Sequence, residues 1–539
     1  MKMFSFKAMR MASLALLFVI SQFSALADNP PITPYWAFGH IVWEDSINTS
    51  AGARQLVNGY LEHGIPVDGI IIDSPWSTSY NDFNWDLQRY PDHKKMVEEF
   101  RQKGVRVILW ATACIDSTSK DVPVGFNKLF NKARKKGYTV NGGKTSEWWK
   151  GVGQHVDFTN PKAKKWWTKQ MNKVFVKGVY GWKADEGVRY FGDVVQTAIG
   201  DVSNEDFRKY YYDAMYDQAQ ARSKESIVLA RPFSHQGNGT HASIEKMNMG
   251  WCGDFGGDWE GLSHQITNIY ESAQRGYAAT ATEIGGFWQS KANAQQFIRY
   301  SQFGATTACM VNGGMNGAFT NHLPWWHSEE AANIYRYFVT LHKELAPYMF
   351  STVVDAHLHG GSLLKNTNTA QESHQIGNDI FVKAITSDDS RVSFTLPSDG
   401  EWVDFFDGKT YAPSQSITKT YSLARYPIFI RKGAIIPVSI STNTTTYHGT
   451  TLKGKHTFLI YPGGNSQRTF HLPVDNGTDY WDCTINVNDT DSIIWFNAER
   501  KGDFCFIVKL PWGEKRLFTN SSSAQFSFSC LGKVFPSDE

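Results

Sequence analysis

The sequence has no surplus of charge of either sign. Fifty-four basic residues stand against 52 acidic ones, a formal net charge of +2. That balance excludes a nucleic-acid binder working through global positive charge. Cysteine is scarce, six in 539 residues, which excludes a disulfide scaffold. Two of Cys483, Cys505 and Cys530 are close enough in sequence to pair, whereas Cys114, Cys252 and Cys309 sit in apolar, strand-like contexts and read as buried free thiols. Apart from one N-terminal run there is no long apolar stretch, which excludes a polytopic membrane protein. HExxH, paired CxxC, the EF-hand loop, the P-loop, GxGxxG after a strand and the G-x-S-x-G elbow are all missing. The reading therefore expects no metal and no cofactor.

What is present is aromatic. Phe, Trp and Tyr make up 14% of the chain, with 19 Trp. A flat indole face suits the C–H face of a pyranose, and it equally suits a core. The apolar content of 41% and charged content of 20% are those of a globular chain. Lys2, Lys7 and Arg10 flank an apolar run over 11–20, and Ala25-Leu-Ala27 offers small residues for cleavage. Residues 1–27 thus read as a signal peptide, with a mature start near Asp28 and a secreted or secretory-pathway location. Six N-x-S/T acceptors, Asn48, Asn238, Asn443, Asn476, Asn488 and Asn520, fit a secreted glycoprotein.

Short apolar runs at 36–43, 67–73, 105–112, 178–185, 226–231, 247–254, 277–284 and 305–312 predict eight strands. Helical patterns at 51–63, 93–103, 161–177, 204–223, 259–275, 291–302 and 328–345 alternate with most of them, opening on signals such as Asn160-Pro161 and Ser328-Glu329. The link after 226–231 is irregular. Eight βα repeats predict an α/β fold, a (β/α)8 TIM barrel over 28–347. Beyond it the pattern turns to alternating, β-branched segments with Gly, Asn and Asp turns. These predict C-terminal all-β sandwich domains over 348–438 and 439–539, breaking near Pro437.

A barrel enzyme places its chemistry at the C-terminal ends of its strands. Asp73, Thr112, Asp185, Arg231, Asp254, Glu283 and Asn312 fall there. Two carboxylates across a sugar acetal suffice for glycosidic cleavage without a cofactor. Asp185 follows Lys183, a neighbour that favours the ionised form a nucleophile needs. Asp254 lies among glycines and aromatics, an apolar setting that suits a general acid. Strand-end capping explains either residue equally well on these grounds.

Several segments in order carry a resemblance to a known family. They are Val67-Asp-Gly-Ile-Ile-Ile-Asp73, Phe83-Asn-Trp-Asp86 with Arg89-Tyr-Pro-Asp92, Val156-Asp-Phe-Thr-Asn-Pro161 and Lys183-Ala-Asp185. Further on come Trp251-Cys-Gly-Asp254 with Trp259, Glu283-Ile-Gly-Gly-Phe287, Pro347-Tyr-Met-Phe350 and the stretch from Pro427 to Pro437. From about Trp36 to Val438 the chain resembles glycoside hydrolase family 31, the α-glucosidase and α-xylosidase family. The resemblance implies a retaining exo-α-glycosidase acting on an oligosaccharide or glycoside. It implies Asp185 as nucleophile and Asp254 as acid/base, with Asp73 and Arg231 binding hydroxyls and Lys183 and Glu283 in the same subsite. Core packing is expected for one or two of Trp76, Trp110, Trp182 and Trp251, and Trp110 and Trp251 are the best candidates for the pocket wall.

The departures bear on the substrate. Thr112 stands where the family's glucosidases have a sugar-binding Asp, His155 where a Trp precedes the DFTNP segment, and Glu283 where Asp is usual. The family's substrate-binding His after the last strand is missing, which leaves Asn312 or His322 to supply its hydrogen bond. The segment from Arg231 to Asp254 is longer than usual, and the family's N-terminal sandwich is absent, so a more open cleft is expected. The pocket is thus expected to accept galactose, xylose or a substituted sugar. Two alternatives remain on the sequence: glycosyl transfer to another sugar at the same site, and a catalytically inactive glycan-binding relative.

Overall fold

The computed structural model describes residues 29–122, 128–185, 192–235, 239–287, 292–314, 322–447, 449–511 and 513–529. The signal segment, Asn238 and Cys530 lie outside them. Eight parallel strands close into a barrel: β1 (His40–Glu44), β2 (Gly69–Ile72), β3 (Arg106–Ala111), β4 (Val179–Ala184), β5 (Ile227–Ala230), β6 (Met249–Trp251), β7 (Thr280–Ile284) and β8 (Met310–Asn312). Each pairs with its neighbours in sequence, and β8 returns to β1 through His40↔Met310. All eight coincide with the predicted runs. Strands such as β2, Gly-Ile-Ile-Ile, are buried on both faces, which is why they read as continuous apolar runs rather than alternating ones.

The outer helices are α1 (Ser50–Glu62), α2 (His93–Gln102), α3 (Pro161–Met171), α4 (Asn204–Gln220), α5 (Trp259–Gln274), α6 (Ala294–Gly304) and α7 (Glu329–His359). All but α2 open on a capping side chain. The Asn160 side chain accepts from the N–H groups of Lys162 and Ala163, with Pro161 at the first helical position, and Ser328 accepts from Ala331. The irregular link is real: between β5 and β6 there is a two-stranded hairpin and a 3-10 turn over Ile244–Lys246, but no α-helix among the described residues.

Two features depart from expectation. The helix expected over 328–345 runs on to His359, straight through Pro347. A proline there forfeits one backbone hydrogen bond and strains the turn before it. Burial along the whole length offsets this: Ala346, Pro347, Tyr348, Met349, Phe350 and Ser351 are all buried. The second is an excursion between β3 and α3, where Cys114–Ser119, Gly151–His155 and Ser146–Trp148 form a small antiparallel sheet.

After α7 come a six-stranded sheet ending its sequence at Ile428–Arg431, a two-stranded sheet, and two four-stranded sheets. Pro437 lies in Ile435–Val438, which pairs with His456–Ile460 and so already belongs to the last group of sheets. The change of sheet falls just before it, at Lys432–Ala434. Helix α7 is tied to that last group: the Glu344 carboxylate accepts from the Thr445 hydroxyl at 2.7 and 2.8 Å, and the His471 N–H donates to the Ser351 hydroxyl at 3.0 Å.

Cys114, Cys252, Cys309, Cys483 and Cys505 are all buried free thiols, so the pairing of Cys483 with Cys505 is excluded. Asn48 is corrected as a glycan acceptor. It is buried, and its amide donates to the carbonyls of Asp45 and Ser74. No helix among the described residues is long and apolar enough to cross a membrane.

Candidate active site

The C-terminal ends of the strands converge on one polar centre. Asp73 follows β2, Asp185 follows β4, Arg231 follows β5 and Asp254 lies three residues beyond β6. Lys183 and Glu283 are still within β4 and β7. The side chains of β4 are aimed by a register shift. Val107 pairs with Val179, but Ile108 pairs with Gly181, so Tyr180 is an extra residue. Such a bulge twists a strand and re-aims the side chains beyond it. Trp182 then points outward, its indole N–H donating to Gln218 of α4 at 2.7 Å, while Lys183 points inward.

Lys183 Nζ meets Asp73 at 3.0 Å and lies over the Trp43 ring at 3.5 Å and the Trp251 ring at 4.8 Å. Burial opposes its charge, but Asp73, Glu283, Asp185 and Asp254 outweigh that and hold its pKa up. The sequence neighbour of Asp185 is therefore Asp73's partner, which corrects the reading that Lys183 chiefly activates Asp185. The cation beside Asp185 is Arg231, at 3.1 Å from Oδ1. The Trp110 indole donates to the other oxygen, Oδ2, at 3.0 Å. The same Arg231 nitrogen lies 3.8 Å from Asp254. The apolar setting expected for Asp254 is corrected too, since its carboxylate is 25% exposed and faces a guanidinium.

Glu283 is buried at the pocket floor. Its N–H donates to Gln265 and its carbonyl accepts from Gln265, while Oε2 has no hydrogen-bond partner. Burial pushes its carboxyl up to about 8. Lys183 opposes the shift, as does Arg231, while Asp254 and Asp73 add to it. The glycines of Glu283-Ile-Gly-Gly-Phe287 have a steric origin. Gly286 has φ +71°, and a Cβ there would lie 2.2 Å from the Gly256 carbonyl oxygen. That close approach locks the loop carrying Asp254 against β7, and the Phe287 N–H donates to the Phe255 carbonyl at 2.7 Å.

Two expected sugar contacts sit elsewhere. The Asn312 amide nitrogen is held by Tyr60 Oη, Tyr335 Oη and the His322 carbonyl at 2.8 to 3.0 Å, and its oxygen faces His322 Nδ1 at 3.2 Å. Asn312 is thus corrected from a sugar ligand to a tie between β8, α1 and α7, its two N–H groups being spent on three buried acceptors. His322 is buried beside Ile284, with Nδ1 3.1 Å from its carbonyl, and burial pushes its ring down to about 4. Thr112 is bonded to Asn81 in both directions and fastens the loop after β2 to β3.

The wall assignments change as well. Trp110 and Trp251 are 3% and 4% exposed, so neither presents a bare ring face. Trp110 orients Asp185, and Trp251 carries Arg231 over its ring at 4.3 Å. Trp76 donates to the Trp110 carbonyl and is core. Sequence reasoning missed Trp43, which stacks on Phe287 at 5.9 Å and 16°. Its position at the C-terminal end of β1 was the available signal. It also missed Trp149 on the excursion, 37% exposed and 6.4 Å edge-to-face from Trp110.

Comparison with known proteins gives the family. The model for the glycosyl hydrolases family 31 TIM-barrel domain matches residues 30–352, and that for the family's C-terminal domain matches 351–436. An alpha-xylosidase of Emericella nidulans is 23% identical over 449 residues, 78% of this chain and 55% of that protein. Alpha-glucosidase 2 of Bacillus thermoamyloliquefaciens is 24% identical over 484 residues, 86% of this chain and 60% of that one. The chain thus spans little more than half the length of these relatives. Among solved structures, a Flavobacterium johnsoniae GH31 dextranase complexed with glucose superposes with a TM-score of 0.76 at 21% identity, over 89% of this chain and 64% of that one. With family models covering the barrel and the first sheets that follow it, residues 30–436 together, the chain belongs to glycoside hydrolase family 31.

Proposed function

We propose that this protein hydrolyses terminal α-linked sugars with retention of configuration, using Asp185 as nucleophile and Asp254 as acid/base. The observation that carries this reading is the Arg231 nitrogen reaching Asp185 at 3.1 Å and Asp254 at 3.8 Å. The two oxygens can be no farther apart than those distances laid end to end. That bound accommodates the ~5–5.5 Å of retaining pairs and only the short end of the ~6.5–9.5 Å of inverting ones. In the first step an Asp185 oxygen bonds to the anomeric carbon, the glycosidic C–O bond breaks and the Asp254 proton passes to the leaving oxygen. In the second, Asp254 takes a proton from water as its oxygen attacks the anomeric carbon and frees Asp185. Trp110 and Arg231, each holding one Asp185 oxygen, fix the direction of attack. Asp73, Lys183 and Glu283 form the floor under the sugar.

The test is a panel of aryl α-glycosides in gluco, galacto, xylo and N-acetylgalactosamine forms, with NMR of the first-formed anomer. One sugar turned over, an α product and a loss of about 10⁴-fold in Asp185→Ala are expected. A β product rejects retention. No turnover by folded wild type moves the reading to glycan binding. Sugar-chain products in place of free sugar would favour glycosyl transfer, with the half-exposed Trp149 as the acceptor's neighbour. The basic flank and apolar run of the first twenty residues support export, and the N-terminal mass of the secreted protein checks cleavage after Ala27.

A further inference from the structure

The near-neutral total hides a strong local asymmetry. Residues 128–177 carry thirteen Lys and Arg against only Glu147 and Asp157, a surplus of eleven in a chain whose total is +2. The structure brings this stretch onto one flank of the barrel. On α3, Lys162, Lys165 and Lys169 follow at helical spacing and are exposed, while Ala163, Trp167 and Gln170 face the barrel. The helix Lys128–Lys135 buries Phe130 and Ala133 and exposes Lys128, Lys132 and Lys135. The two helices are joined end to end. Tyr138 meets Trp166 at 5.6 Å, the Asp157 N–H donates to the Tyr138 carbonyl at 2.9 Å, and the Asn160 amide reaches the Gly137 carbonyl at 3.5 Å. Among the described residues, none of those six lysines has an ion-pair partner; Lys164, turned inward, pairs with Asp217. Like charges held together without partners repel one another and raise the potential over that face, so a polyanion is what they accommodate.

The pocket narrows the choice of polyanion. Asp73 and Asp185 balance Lys183 and Arg231, Glu283 is held protonated and Asp254 carries the proton it donates, so among the described residues no spare cation is left for an anionic sugar in the cleaved subsite. The excursion that bears the basic helix also bears Trp149, which touches Trp110 beside Asp185. Basic flank and pocket are therefore parts of one surface with different preferences, the one for negative charge and the other for an uncharged sugar. We propose that the flank of α3 and the helix Lys128–Lys135 is a docking surface for an anionic polysaccharide, whose uncharged terminal sugar enters the pocket. The last clause rests on the glycosidase reading; the docking does not.

The experiment measures binding of the full chain to polygalacturonate and to dextran of matched length by affinity electrophoresis. Anionic phospholipid vesicles and duplex DNA are run in parallel, at about 0.15 M and 0.5 M salt. Polygalacturonate is expected to bind at least about tenfold more tightly than dextran and to be released by the higher salt. The variant with Gln at 132, 135, 162, 165 and 169 is expected to lose that advantage while keeping the melting midpoint and aryl glycoside turnover of wild type. Equal binding of the two polymers, an unchanged variant, or tighter binding of vesicles or DNA overturns the proposal. Failure of the glycosidase reading shows separately, as absent turnover in wild type.

Discussion

Two ion pairs a few ångströms apart in this barrel have the same chemistry and opposite accessibility. Lys183 and Asp73 are each 6% exposed, and Asp73 also accepts the Ser74 N–H at 2.7 Å. Arg231 is as buried as Lys183, but its partners Asp185 and Asp254 are 15% and 25% exposed. In the lower pair the ions are committed to each other, and the ammonium also to two indole faces. In the upper set only the cation is buried, and both carboxylates keep an edge open to an incoming sugar. A buried pair is a matched structural unit whose loss leaves an uncompensated charge, whereas a half-open one leaves its carboxylates available for reaction.

The comparison can be broken by removing one ion at each level. Lys183→Met strands Asp73 in the interior and should cost about 3–5 kcal/mol, read by urea denaturation. Adding Asp73→Leu should recover much of it, and failure to recover would mean the pair is not a closed unit. At the upper level Arg231→Lys keeps the charge but loses the guanidinium nitrogen placed to reach both carboxylates. The expected result is a kcat/KM loss of about 10²-fold with little change in melting temperature, since the pair faces the substrate. Asn312→Ala should cost about 1–3 kcal/mol through its buried partners and leave the ratio of kcat/KM between sugars unchanged. A changed ratio would return Asn312 to the sugar site.

The smallest effect is a slope. Burial holds the Glu283 carboxyl at about 8 against an ordinary 4.5, and the Glu344 carboxyl likewise, with the Thr445 hydroxyl opposing the shift at Glu344. The folded state thus keeps protons that the unfolded chain releases. Their stabilising contribution is complete below about pH 4.5 and is lost as pH rises through about 8. Glu283→Gln should flatten the fall in melting temperature between those limits, and Glu344→Gln should flatten it further. An unchanged slope would place an ionised carboxylate at the pocket floor.

The barrel itself was legible because its signals are local. Each strand is a short apolar run buried on both faces, six of the seven outer helices open on a capping side chain, and polar residues at the strand ends mark the reacting face. Cys114, Cys252 and Cys309, thiols in apolar contexts, are buried and free for the same local reason. Which charged groups meet was not legible. Lys183 adjoins Asp185 in sequence and pairs with Asp73 across the barrel, because one extra residue at Tyr180 shifts the register of β4. Asn312 ends its strand as a ligand would and is consumed by Tyr60 and Tyr335, which arrive from α1 and α7. Pro347 reads as a helix stop and is carried through by packing on every side. Residue order alone specifies the elements, their succession and the set of ionisable groups at the barrel mouth. The partners of those groups are set in three dimensions, because pairing depends on stagger between strands and on helix packing, and neither is encoded within a window of neighbouring residues.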